Sequence, residues 1–344
     1  MTVVIPTYNM EKYLEKSLTS LVVEEEFMSS LEVLIVNDGS KDRSSEIGHS
    51  FQARYPQTFR VIDKENGNYG SCINVGLKEA QGKYIKILDA DDSFDTSNFQ
   101  KVLAMLNDLD VDMVITNFQT VDEKGTPGKI VSRKIPLNQI IPIEECIDEL
   151  ISHPAVAMHS AMYKTENLQN INYHQTEGIS YTDEEWMFLP ITTVRTLYYV
   201  DIIVYLYLVG REGQTVDISV VSKNWRHNYI GIKNELDERL SLASDVKQIY
   251  LNYLDARLYY RLKGLYYVVL ILSNERNAPE LVELDEKIEK CLPSVYQKLS
   301  NNKLHSILPI TYVRGWRKMR GTFRQNIYLG ALHCIYKFAR LVLR

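Results

Sequence analysis

Cysteine is scarce and scattered. The 344 residues hold four, Cys72, Cys146, Cys291 and Cys334, each standing alone. This excludes the CxxC spacing of a zinc site and the density of a disulfide scaffold, and it suits a reducing compartment. Glycine and proline are few, 16 and 10, which excludes collagen-like and low-complexity architectures. No basic stretch with an apolar run precedes the first strand-like residues, Thr2 to Ile5, so no secretory signal is expected. Apolar runs of about 18 residues are also missing, and Leu265 to Leu272 is too short to span a bilayer. The expected location is cytoplasmic. A basic surplus is lacking too: 39 Lys and Arg stand against 44 Asp and Glu, a net charge of −5 that argues against a nucleic-acid partner. What is present, 45% hydrophobic and 24% charged residues, is enough for a well-buried core in about two domains. The charge is uneven. Asn301 to Arg344 carries nine Lys and Arg and no acid, contributing +9 and leaving −14 on the residues before it.

The first hundred residues alternate between two periodicities. Thr2–Ile5, Leu31–Val36, Arg60–Asp63, Tyr84–Leu88 and Met113–Thr116 read as strands, and Glu11–Val22, Arg43–Tyr55, Ser71–Ala80 and Asn98–Leu109 read as helices. Strand and helix in alternation predict right-handed βαβ units in an α/β fold with a mostly parallel sheet. Ligands then belong beyond the carboxyl ends of the strands. A helix over Ile143–Ile151 and a strand over Leu197–Val209 follow. From about Ser219 the pattern is helical, over 234–254, 256–272 and 280–299. The expected division is an α/β domain over 1–217 and a helical region with a basic tail over 218–344.

Carboxylates cluster at the expected strand ends. Asp38 follows an apolar strand and precedes Gly39, in a turn expected to be exposed at the carboxyl edge. There it can accept a hydrogen bond from a uracil imide or a ribose hydroxyl, or serve only as a turn or helix-capping residue. Tyr84-Ile-Lys-Ile-Leu-Asp-Ala-Asp-Asp92 is a strand ending in three acids, Asp89, Asp91 and Asp92. Crowded hard oxygen ligands suit Mg²⁺ or Mn²⁺, which bridge to substrate phosphates. The alternative is an acidic turn capping a helix that starts near Ser97.

Four segments taken together are more specific. Val3-Val-Ile-Pro-Thr-Tyr-Asn9, Val36-Asn-Asp-Gly-Ser40, Glu65-Asn-Gly-Asn-Tyr-Gly70 leading to Asn74 and Gly76, and Leu88-Asp-Ala-Asp-Asp92 resemble, in order and spacing, the nucleotide-sugar domain of the family 2 glycosyltransferases. The resemblance covers roughly residues 1 to 215. It implies the GT-A fold, a Rossmann-like, mostly parallel sheet flanked by helices, here with a C-terminal helical extension. It implies an inverting transfer from a nucleoside-diphosphate sugar, a UDP-sugar by preference, in polysaccharide or glycolipid synthesis. By the same resemblance Pro6, Thr7, Tyr8 and Asn9 lie along the nucleotide and Asp38 holds the uracil. Asn66, Gly70 and Asn74 stand near the donor, Asp89 and Ala90 contact ribose or sugar, and Asp91, with Asp89, ligates the cation. Many relatives carry an alanine-arginine pair before the position of Asn74, where this chain has Cys72 and Ile73. Any contact made by that arginine must come from elsewhere.

In the family a Glu-Asp pair followed closely by an aromatic residue supplies the catalytic base. The match here is Thr182-Asp183-Glu184-Glu185-Trp186, with threonine in the glutamate's place. Asp183 is the expected base and Glu184 the reserve, while an acidic helix start is the alternative. Trp186 is expected either to stack on an acceptor sugar or to join the core. Family members often carry an arginine where Tyr207-Leu-Val-Gly-Arg-Glu-Gly-Gln214 has Arg211, and the resemblance implies that it pairs with the donor diphosphate, the alternative being a salt bridge to Glu212 or another acid. His153, His159 and His174 lack metal-ligand spacing and read as structural or acceptor-side residues. The basic aromatic tail is suited to an anionic inner leaflet, with Trp316 at headgroup level and a lipid-linked acceptor nearby, or to packing on acidic surfaces or a homodimer. A sugar-nucleotide nucleotidyltransferase is the rival enzyme class, but the usual Gly-rich first loop is replaced by Pro6-Thr-Tyr-Asn9. A non-catalytic carbohydrate-binding or scaffold protein is the third.

Overall fold

The computed structural model describes residues 1–152, 156–211, 218–273, 278–304, 310–320 and 322–342. His153, Glu212 and the Gly-Gln pair at 213–214 lie outside them. The chain divides into two compact units, Met1–Glu212 and Gly213–Arg344.

The first unit is built on one sheet. Its described strands are β1 (Thr2–Thr7), β2 (Glu32–Asn37), β3 (Phe59–Asp63), β4 (Tyr84–Ile87), β5 (Ser93–Phe94), β6 (Met113–Val121), β7 (Pro127–Val131), β8 (Ile140–Pro142), β9 (Ala161–Lys164) and β10 (Thr196–Leu208). They run in the order 3-2-1-4-9-6-10-5, with β7 on β6 and β8 on β10. Strands β3, β2, β1 and β4 are parallel, as the alternating pattern predicts. Beyond β4 the sheet is mixed: β9 enters antiparallel to both β4 and β6, and only β6 and β10 are again parallel. β1 is buried along its whole length, as a strand covered on both faces must be.

Helices follow the strands. Asn68–Glu79 packs so closely on β1 that a Cβ at Gly76 would lie 2.3 Å from Val4 Cγ1. The first helix is shorter than its periodicity suggests, Leu14–Thr19. Residues just before it are used elsewhere: Asn9 has φ 54°, and the amides of Met10 and Glu11 donate to Ser44 Oγ and an Asp42 carboxylate oxygen. The helix expected near Ser97 spans Thr96–Leu106 and is capped by Asp95, whose carboxylate accepts from Asn98 N. The acids Asp89 to Asp92 are thus not its cap.

The second unit is helical in its described residues: Ile218–Lys223, Trp225–Ser241, Gln248–Tyr267 with a π-helical continuation over Val268–Leu272, Pro279–Cys291, Pro293–Ser300, Tyr312–Met319 and Phe323–Val342. The expected helix over 234–254 is broken at Leu242, which turns extended with ψ 139°. Asp285, buried, accepts from Tyr266, Arg317 and Arg320, so two of the tail's cations are spent on an internal carboxylate. Trp316 does not lie at the surface. It is buried edge-on to Tyr266, with ring centroids 5.8 Å apart, which removes it as a headgroup anchor. Among the described residues no helix is long and apolar enough to cross a membrane.

Candidate active site

The parallel register sets three strand ends side by side, pairing Thr7 with Asn37 and Asn37 with Asp63. The turns after them enclose a cavity of about 500 Å³ lined by Tyr8, Gly39, Lys41, Asp63, Lys64, Glu65 and Asn66. Pro6 and Thr7 are buried in β1, with Thr7 Oγ1 donating to Ile5 O at 3.1 Å, so of the first motif only Tyr8 lines this cavity. Asn9 ties two turns together. Its amide donates to Ser40 Oγ at 3.0 Å, and its Oδ1 accepts from Lys41 N at 2.8 Å.

Asp38 stands at the carboxyl edge, but it is not exposed. Its side chain is 3% accessible and accepts from Lys64 Nζ at 2.6 Å and from Gly67 N at 2.9 Å. Lys64, which sequence reasoning missed, also donates to Glu65 O and Ser71 Oγ. Asn66 Nδ2 donates to Asp38 O at 3.0 Å and so fastens the third motif to the second. A carboxylate this deep needs its counter-ion, and the lysine supplies it. On the cavity wall Asp63 accepts from Asn37, Ser45 and His49. These bonds, set against its partial burial, hold its carboxyl below the ordinary range.

The acidic turn follows β4. Asp92 is buried, and both its oxygens are engaged, by Tyr205 Oη at 2.6 Å and Leu208 N at 2.6 Å. Asp89 and Asp91 are half-buried, and Ala90 between them is buried. Tyr69 Oη donates to Asp89 at 2.7 Å, and Arg211 Nε donates to Asp91 at 2.5 Å. Burial first, then the charge of Asp91, pushes the Asp89 carboxyl up to about 7, and burial pushes Asp92 up as well. Acids crowded enough to resist ionisation fit a divalent cation, which would relieve the repulsion.

Ligand atoms of Asp89, Asp92 and His159 lie within 4.8 Å of one another, and Asp91, the ligand expected from the sequence, is not part of that cluster. His159 is enclosed by Phe118, Tyr205 and Tyr207, and burial lowers its imidazole to about 3, leaving it neutral. Asp91 is the more accessible partner, since Asp92 already has a donor on each oxygen. Beneath this layer Lys86 is fully buried, donating to His159 O at 2.7 Å and Ala161 O at 3.3 Å. Burial lowers its amine to about 7.

A third segment, residues 173–188, meets the other two. Asn74 is its tether: Oδ1 accepts from Gln175 N at 2.7 Å, and Nδ2 donates to Gln175 O and Glu177 Oε1, both at 2.9 Å. Its amide is thus occupied by this segment rather than presented to a donor. Gly70 permits the approach, since a Cβ there would lie 2.2 Å from Thr176 O. Farther along, Tyr181 is held at φ 69°, an uncommon conformation for an aromatic residue. Thr182 is buried, Asp183 half-buried and Glu184 exposed. The charge of Asp183 raises Asp89, Tyr69 and Tyr207, which sets it in the field of the acidic turn. Trp186 is no acceptor platform. It is fully buried between Tyr163 and Tyr173, at centroid distances of 5.6 and 5.8 Å.

A parallel block carrying an acidic turn and a cavity at its carboxyl edge is the arrangement of the GT-A class. The comparisons agree. Residues 2–186 match the profile described as glycosyl transferase family 2, and the chain belongs to that family. It is 25% identical to the minor teichoic acid biosynthesis protein GgaB of Bacillus subtilis over 74% of its length and 28% of that protein. It is 23% identical to the poly(ribitol-phosphate) beta-N-acetylglucosaminyltransferase TarS of Staphylococcus aureus, over 64% of this chain and 37% of TarS. The chain therefore spans well under half the length of these curated relatives. Its fold is similar to that of TarS residues 1–349 in complex with UDP-GlcNAc, with a TM-score of 0.65 at 18% identity over 98% of this chain and 91% of that one. A mannosyltransferase of Pyrobaculum calidifontis, in complex with GDP-Man and Mn²⁺, aligns with a TM-score of 0.54 at 15% identity over 97% of this chain and 86% of that one.

Proposed function

We propose that this glycosyltransferase moves a sugar from a nucleoside-diphosphate donor to an acceptor hydroxyl in one in-line displacement, with inversion at the sugar carbon. The observation that carries this reading is the convergence of Asp183 on the acidic turn. A base must stand close to the sugar, on the side away from the departing diphosphate, and Asp183 acts on Asp89 from a separate chain segment. The nucleoside is assigned to the cavity beside Tyr8 and Lys64, with the diphosphate directed toward Asp89, Asp91 and Arg211. Asp183 takes the acceptor proton as the hydroxyl oxygen bonds to the sugar carbon and the diphosphate leaves. Asp91 and Asp89 would hold Mg²⁺ or Mn²⁺, which when bound offsets negative charge on the leaving group.

Uridine is the favoured nucleoside, supported by the UDP-GlcNAc complex of TarS, and the guanosine donor of the mannosyltransferase is the competitor. The names of GgaB and TarS support a cell-surface polymer as the product class. We assign sugar transfer to residues 1–217. Residues 218–344 are assigned to contact with an anionic membrane surface carrying a lipid-linked acceptor. That contact is supported by the acid-free tail and by Phe323 and Ile327, which are 82% and 60% exposed one helical turn apart.

The test is thermal stabilisation by a panel of nucleotide sugars with Mn²⁺, followed by donor turnover in the wild type and Asp183→Asn. One UDP-sugar should raise the melting temperature most, and the variant should bind it while losing turnover. Full turnover by a folded Asp183→Asn protein would remove the base assignment.

A further inference from the structure

Arg211 is fixed more firmly than an arginine waiting for a substrate needs to be. Its Nε donates to Asp91 Oδ2 at 2.5 Å, and the two side chains are only 17% and 13% accessible. The guanidinium carbon also sits 5.6 Å from the ring centroid of Tyr13, whose hydroxyl donates to Glu123 at 3.2 Å. Tyr13 comes from the entry of the first helix and Glu123 from the turn after β6, so residues distant in sequence build the arginine's seat. An ion pair shielded from water and geometrically seated on an aromatic face is among the stronger surface-proximal contacts.

We infer that Arg211 is the resting counter-ion of Asp91, so that a divalent cation must displace it. Arginine and cation then stay together only when the donor's diphosphate supplies negative charge for both. The inference rests on the reading of Asp91 as a cation ligand. Its physical basis is charge economy. Of the carboxylates gathered at this turn, Asp91 is the one already answered by a guanidinium, on Oδ2, and a divalent ion brought to that oxygen meets an adjacent positive group in a partly desolvated site. A diphosphate brings acceptor oxygens for the cation and for the planar guanidinium alike. Tyr13 keeps the arginine near the site after Asp91 is given up. The protein would thus bind bare cation weakly and the cation with nucleotide well.

The experiment is Mn²⁺ binding to the full chain, followed by the electron paramagnetic resonance of free Mn²⁺, without nucleotide and then with saturating UDP. The proteins are the wild type, Arg211→Gln, Arg211→Ala and Asp91→Asn, each checked for folding by its melting curve. Without UDP, Arg211→Gln and Arg211→Ala should bind Mn²⁺ roughly tenfold tighter than the wild type, the order of one charge-assisted hydrogen bond. With UDP that advantage should vanish or reverse, because Arg211 then supports the diphosphate. Two variants of different size guard against one that misfolds. Equal Mn²⁺ affinity of the wild type and a folded Arg211 variant without UDP would overturn the inference and leave the cation site standing. If no protein binds Mn²⁺ with UDP, or if Asp91→Asn binds it as the wild type does, the cation reading fails and the inference falls with it.

Discussion

Replacing Gly70 by alanine tests whether the base-bearing segment is positioned by close packing. The added Cβ would lie 2.2 Å from Thr176 O, 3.0 Å from its carbonyl carbon and 3.2 Å from Gln175 Cβ. Carbon and carbonyl oxygen settle at about 3.3 Å or more, so one side must give way by about 1 Å. The helix has little room to yield, because Gly76 already rests on Val4. The segment that moves is therefore 174–178, and it drags the base with it: Thr176 N donates to Glu185 Oε2 at 2.8 Å, two residues from Asp183. Overpacking of this kind costs about 1–3 kcal/mol of stability. A misplacement of about 1 Å at the chemistry costs on the order of 100-fold in turnover. The assay is nucleotide release from the donor found in the stabilisation panel, with calorimetric UDP binding alongside. Turnover should fall much further than UDP affinity, since the segment 174–178 that must move does not line the cavity beside Tyr8 and Lys64. A Gly70→Ala protein with wild-type turnover would refute the reasoning. So would a loss of UDP binding equal to the loss of rate, which would put the damage in the nucleotide cavity.

Three further outcomes are expected. Lys64→Met strands the buried Asp38 carboxylate, which should cost about 3 kcal/mol or more in urea unfolding, with the penalty growing above about pH 4 as the unfolded-state carboxyl ionises. Adding Asp38→Asn should recover much of it, and a Lys64→Met protein of unchanged stability would contradict the pairing. Asp89 keeps its proton up to about 7 in the folded chain, whereas an ordinary carboxyl has lost it near 4. The folded state thus binds the extra proton, and this group's contribution to metal-free stability falls as pH rises through that window and levels off above it. A cation competes with the same proton, so Mn²⁺ should bind roughly tenfold more weakly per pH unit below about 7, read from its effect on the melting temperature. A pH-independent Mn²⁺ effect between about 5 and 8 would contradict the assignment. Finally, Phe323→Glu with Ile327→Glu should abolish co-sedimentation with phosphatidylglycerol vesicles and leave donor turnover unchanged. Equal sedimentation of the wild type and the double variant would remove the membrane role.

Residues whose signal is local were readable in advance. An apolar strand followed by an acid and a turn residue marks Asp38, Asp89 and Asp91 at a sheet edge, because strand and turn chemistry both act within a few residues. The antiparallel β9 gave no such signal: its four residues, Ala161–Lys164, are too short for a period. Burial was the common failure. Trp316 stands among basic residues and reads as a headgroup anchor, and Trp186 reads equally as platform or core; both are buried, because the groups that cover them are distant in sequence. Lys64 and Lys86 carried no sequence signal for the same reason. Each is held by partners brought in by the sheet, a carboxylate for one and two carbonyls for the other. Tyr69 was legible only as a neighbour of Gly70, and its bond to Asp89 requires the third and fourth motifs to fold together.

The double hold on Asp92 has an architectural consequence. Tyr205 and Leu208 belong to β10, a strand of 13 residues, and Arg211 follows its end by three positions. The acidic turn and the arginine that answers it are therefore riveted to the same beam, although more than a hundred residues of chain separate them. Anyone transplanting this turn into a new scaffold would have to bring that beam along, or the graft would keep its acids and lose their alignment.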